Sequence, residues 1–90
     1  MNKQEFLAFS GLQVQTLDFW LEQQWLVPEE TIGGVEFSSV DVARAHLILD
    51  LKNDLGANDE GIDIILHLMD QLHGLRQALA QLKTDIKRPL

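Results

Sequence analysis

Ninety residues, 46% of them hydrophobic and none of them cysteine, suffice for one small domain that buries roughly 60% of its unfolded surface. They exclude a disulfide frame and a thiolate metal site. A net charge of −7 conceals a division: residues 1–70 hold three bases against thirteen acids, a balance of −10, whereas residues 71–90 stand at +3. So acidic a body repels nucleic-acid phosphates and suits a basic protein partner, although any one of these acids also reads as ordinary solvated surface.

The opening Met1-Asn2-Lys3-Gln4-Glu5 is not that of a signal peptide, and no run nears the ~20 apolar residues of a membrane span. The expectation is a cytoplasmic protein with no membrane contact. Residues 3–9 then predict a short helix with Phe6 and Phe9 inward and Leu7 on its other side, stopped where Gly11 takes positive φ. Residues 10–28 follow as a turn and a second helix. In that helix Val14, Leu17 and Leu21 recur at helical spacing, with Trp20 on the same stripe. The opposite row is Gln15, Asp18, Phe19 and Glu22, three or four residues apart and therefore neighbours on one surface. It is acidic and aromatic.

Trp25, Leu26 and Val27 make an apolar exit, and Pro28 blocks further helix. Residues 29–32 and 35–37 are short β-compatible runs around Gly33-Gly34, a pair suited to a tight two-residue turn. This predicts a small hairpin. Ser38 and Ser39 offer N-cap oxygens to a third helix, with Asp41 in its first turn and Val40, Ala43, Leu47 and Leu51 as its buried stripe, Ile48 flanking. That helix ends near Leu55-Gly56.

A fourth and longer helix starts at Asn58, Asp59 or Glu60. Ile65, Leu68, Leu72, Leu75, Leu79, Leu82 and Ile86 alternate gaps of three and four along it, the rhythm of a coiled-coil seam. Gly74 weakens it by ~1 kcal/mol without breaking the pattern, which Pro89 ends behind the basic residues of its last turns. Such a seam predicts a homodimer, with pairing to another partner or folding back onto the domain as the alternatives. The chain thus divides into residues 1–56, a helical domain with a hairpin, and residues 57–90, the long helix, together one compact unit.

No chemistry for catalysis emerges. His67 and His73 lie six apart, on different helix faces, and His46 stands alone, so no zinc pair at i, i+4 spacing exists. Asp59, Glu60 and Asp63 cap a helix start. There is no phosphate loop and no nucleophile elbow, so the chain is read as neither an enzyme nor a metal or cofactor protein.

Ser10-Gly11-Leu12, Val14-Gln15-Thr16-Leu17, Trp25-Leu26-Val27-Pro28 and the run from Phe37 to Arg44 resemble, in order and spacing, the turn, recognition helix, exit and following helix of the MerR-type winged helix-turn-helix family. The resemblance implies a mainly α fold with a hairpin wing and a long C-terminal coiled-coil helix. Where that family puts arginines in the recognition helix, this chain has Gln15 and Asp18, and its wing carries Gly34, Val35 and Glu36. The pattern, with Leu51-Lys52-Asn53-Asp54-Leu55, Gly61-Ile62 and Leu66-His67-Leu68-Met69-Asp70, is similar to the CbpM-like chaperone-modulator branch. That similarity implies a partner, the J-domain of a DnaJ-type, CbpA-like co-chaperone, inhibited by an acidic cover over its basic helix. Gln15, Asp18, Phe19, Glu22 and Glu36 are the expected partner-binding residues, with Phe19 either an anchor or packed under the wing. The alternatives are a MerR-like transcriptional regulator with a degenerate DNA-reading head and a plain dimerisation module.

Overall fold

Asn2 starts the first helix, α1 (Lys3–Ser10): its Oδ1 accepts the Glu5 N–H at 2.8 Å, while Glu5 Oε1 accepts the Asn2 N–H at 3.0 Å. This reciprocal cap satisfies two donors that a helix start otherwise leaves unpaired. The helix belongs to a computed structural model that describes residues 1–86. Gly11, at φ 74°, closes α1 by donating its N–H to the Leu7 carbonyl. Phe6 is fully buried, but Phe9 is 70% exposed and Leu7 half-buried, so the expected inward pair reduces to Phe6. Eight residues make just over two turns, and Phe6 is the buried residue among them.

The second helix, α2 (Val14–Glu22), buries Leu17 and Trp20. Leu21 is half-buried and Val14, in the first turn, is 50% exposed, which shortens the expected stripe at its N-terminal end. The Trp20 Nε1 is buried without a hydrogen-bond partner, a desolvation cost of about 1–3 kcal/mol that the packing around the indole must offset. The end of α2 is a Schellman turn: Trp25 N–H donates to the Trp20 carbonyl at 2.9 Å and Gln24 N–H to that of Leu21 at 3.1 Å. Gln24 sits at φ 61°, where such turns ordinarily place glycine. The reversal drops Trp25 and Leu26 into the core, at 2% and 1% exposure.

The wing is a two-stranded antiparallel hairpin of β1 (Glu29–Thr31) and β2 (Gly34–Glu36). Its register pairs Glu29 with Glu36, Glu30 with Val35 and Thr31 with Gly34. The turn residues are therefore Ile32 and Gly33, one position earlier than the Gly33-Gly34 pair expected from sequence. Positive φ falls instead on Gly34, at 117°, just past the turn, and Thr31 Oγ1 donates to its carbonyl at 2.8 Å.

Ser38 caps α3 (Ser39–Asn53) in a second reciprocal box with Asp41. The buried residues of α3 are Val42, Ala45, Ile48 and Leu51. Of the expected stripe only Leu51 is buried; Val40 is 71% exposed, Ala43 exposed and Leu47 half-buried. Apolar residues nearly surround this helix, so periodicity alone leaves its rotation open. Phe37 decides it: its ring stacks on Phe6 at 4.4 Å and 20°, and its N–H donates to the Met1 carbonyl at 2.7 Å, setting how α3 enters against α1.

Residues Met1–Asn58 form one compact unit and a second begins at Asp59 with α4 (Asp59–Ile86). Asp59 and Glu60 occupy its first turn, where they complement the helix dipole. Ile62 and Leu66 are its buried residues, a pair that the seven-residue seam did not include. Ile65 is half-buried, and Leu68, Leu72, Leu75, Leu79, Leu82 and Ile86 are all exposed, between 49% and 73%. The expected helix end at Pro89, with Lys87 and Arg88 before it, lies outside the described residues. Among the described residues no helix is long and apolar enough to cross a membrane.

The left-handed Gln24 offers a direct test of the turn that ends α2. A side chain in that conformation costs about 1–2 kcal/mol, part of which glycine returns through its larger unfolded-state entropy. Gln24→Gly is therefore expected to stabilise the fold by ~0.5–1 kcal/mol and raise Tm by a few degrees in a thermal melt. A lower Tm would mean that the Gln24 side chain makes contacts worth more than the strain.

Candidate protein-binding face

Because α2 turns Leu17 and Trp20 into the core, its opposite row faces solvent. Gln15, Asp18, Phe19 and Glu22 are all exposed, so the structure brings these four together on one surface. Phe19 is 37% exposed, and its ring meets Trp25 edge-on, centroids 5.6 Å apart at 77°. It is thus not free-standing. One edge rests on a buried indole, which limits the rotamer freedom that an interface anchor must give up on binding.

Asp18 has a neighbour that sequence reading missed. Lys3 Nζ, from α1, lies 2.6 Å from Asp18 Oδ1, with both side chains about half exposed, at 45% and 53%. A pair so exposed contributes under ~1 kcal/mol. It is readily exchanged for a partner's cation. The spacing from Lys3 to Asp18 spans two helices and a turn, so no local pattern signals it. Glu36 stands on a different element, β2, where it is exposed and its Oε1 lies 3.6 Å from the amino group of Met1.

The wing divides its acids between its two faces. Alternation along the strands puts the Glu29–Glu36 pair on one face and the Glu30–Val35 pair on the other. Like charges directly opposite each other destabilise a hairpin, and the cation beside this pair is the Met1 ammonium, 3.6 Å from Glu36. Beside the Glu30–Val35 face lies a shallow groove of about 280 Å³, lined by Leu21, Leu26, Val27, Pro28 and Val35 with Gln24 and Glu30. Sequence reading missed this groove, because its walls come from a helix, an exit turn and a hairpin whose register was one residue off.

Between Lys3 and Arg44 the sequence holds no Lys, Arg or His. Both flanking cations serve the fold: Lys3 pairs with Asp18, and Arg44 Nε donates to the Trp25 carbonyl, holding the α2 exit to α3. The charged side chains that α2 and the wing themselves expose are consequently all acidic. Among the described residues no group of three or more His, Cys, Asp or Glu is placed to hold a metal ion. The arrangement can recognise a positively charged surface with an apolar element. The cations beside it, Lys3 at Asp18 and the Met1 ammonium at Glu36, each stand against a carboxylate.

Comparison with known proteins agrees with the architecture of turn, helix, hairpin wing and long terminal helix. A family model described as MerR HTH family regulatory protein matches residues 1–84. Comparisons with curated proteins and with solved structures gave no match. With nearly its whole length covered by that match, the chain belongs to the MerR HTH regulatory family.

Proposed function

We propose that this chain regulates by binding protein rather than DNA: that it is a CbpM-like, non-enzymatic modulator which engages the J-domain of a DnaJ-type, CbpA-like co-chaperone in the cytoplasm and inhibits it. The observation that carries the reading is the lack of any cation between Lys3 and Arg44, across the helix and wing with which the fold would meet a duplex. DNA affinity rests heavily on cations that displace phosphate counterions. Here the row offers Asp18 and Glu22 around Phe19, and the wing offers Glu29, Glu30 and Glu36. A basic helix is the complementary surface, and an acidic protein lying on it would exclude the chaperone that uses the same charges.

Anchors and charges act on different rate constants, which separates their roles. Asp18→Arg with Glu22→Lys is expected to slow association with a purified J-domain and flatten its dependence on salt. Phe19→Ala is expected mainly to speed dissociation, at about 2 kcal/mol. Stopped-flow binding measures both, with circular dichroism confirming that each variant is folded. An unchanged association rate and salt slope in the charge-reversed protein would remove this face as the site.

Membership of a regulatory HTH family favours a second reading, a transcriptional regulator with a degenerate DNA-reading head. Mobility-shift titration at physiological salt separates the two. The protein-binding reading expects no retained duplex at micromolar protein, and sequence-specific retention below that concentration would establish the regulator instead.

The long helix completes the proposal. Six seam residues of α4, from Leu68 to Ile86, are exposed in the single chain, a stripe of a kind that marks interaction sites, and we assign it to a homodimer held by coiled-coil pairing. Sedimentation at micromolar concentration is expected to give a species of twice the 10.2 kDa chain mass. Leu75→Asp with Leu79→Asp is expected to return it to the monomer.

A further inference from the structure

We infer that the groove beside the wing is a docking pocket for an aliphatic side chain on a basic helix of the protein partner, and that Glu30 at its edge receives a lysine or arginine flanking that side chain. This deepens the reading above by naming what the partner helix must present. The walls are apolar and open: Val27 is 74% and Val35 42% exposed, and Leu21 is half-buried. Pro28 holds the exit rigid at one side, so the pocket is formed before a partner arrives.

Charge decides the occupant. The groove lining holds one acid, Glu30, and no base, and no Lys, Arg or His stands between Lys3 and Arg44 to balance it. A second copy of this chain seated there would set acid against acid, and a nucleic acid would bring phosphates. A cationic segment meets Glu30 with the opposite sign instead. The groove has room for one or two side chains rather than a whole helix, which matches an anchor projecting from a helix that lies across it. Ile32 at the turn is fully exposed and lengthens the apolar strip on the wing.

The test uses the full-length chain and a synthetic amphipathic peptide of alternating leucine and lysine faces, labelled for fluorescence anisotropy. Saturable binding by the wild type is expected. Val27→Ser and Glu30→Lys are each expected to weaken it about tenfold, and Val35→Thr, which keeps the branched shape that the strand prefers, several-fold. Phe9→Ser, an exposed apolar residue outside the groove lining, is expected to leave binding unchanged. Glu29→Lys is a separate check. It lies on the face of the hairpin away from the groove and is expected to leave peptide binding unchanged, so a loss equal to that of Glu30→Lys would mean that overall charge and not the groove holds the peptide.

Absence of peptide binding, equal binding by the Val27 and Glu30 variants, or loss of self-association in either of them would overturn the inference. Peptide binding through the groove combined with no binding of a J-domain would uphold it while removing the J-domain as partner.

Discussion

The exposed face of this protein depends on how α2 ends. A helix running on past Glu22 would carry Trp25 and Leu26 away from the core, and the wing would emerge far from the row it flanks. The Schellman turn at Gln24 prevents this at the cost of one left-handed side chain. Arg44 then secures the turn from the far side by donating to the Trp25 carbonyl. One strained residue and one buried-edge hydrogen bond thus place the acidic row, the groove and the hairpin on a common body.

That body carries an acidic and apolar outer row on the fold of a regulatory HTH family. Asp18 and Glu22 on α2 and Glu29, Glu30 and Glu36 on the wing are the charged side chains that reach outward there. Lys3 and Arg44 illustrate the constraint. Each is a cation kept where the fold uses it, one across to α2 and one into a carbonyl, and neither extends the positive field that a duplex requires. Function here lies in the site and not in the architecture.

Much of the fold was legible because its signals are local. Gly11 closes α1, Ser38 with Asp41 opens α3, and Pro28 marks the exit, each through chemistry confined to a few residues. Capping by Asn2 and Glu5 obeys the same rule and was readable in principle. What local pattern could not supply was rotation and register. The apolar residues of α3 run almost all round it, and only the Phe6–Phe37 stack selects Val42, Ala45 and Ile48. The hairpin offered two adjacent glycines and the turn used the first with Ile32, because Gly34 serves at positive φ just beyond it. For the site, the row of Gln15, Asp18, Phe19 and Glu22 followed from helical spacing, whereas the Lys3–Asp18 pair and the groove join segments that are distant in sequence and needed the tertiary structure.

The aromatic contacts of α2 carry a consequence for observing the molecule in solution. With two tryptophans and no tyrosine, the near-ultraviolet signal comes almost entirely from Trp20 and Trp25, both buried and 6.3 Å apart. Phe19 touches Trp25 at its edge while opening to solvent, so these three rings form a continuous path from the surface to the centre of the core. Anything that presses on Phe19 changes the packing of an emitting indole. The native chain therefore carries its own optical reporter of contact at that face, without an attached dye.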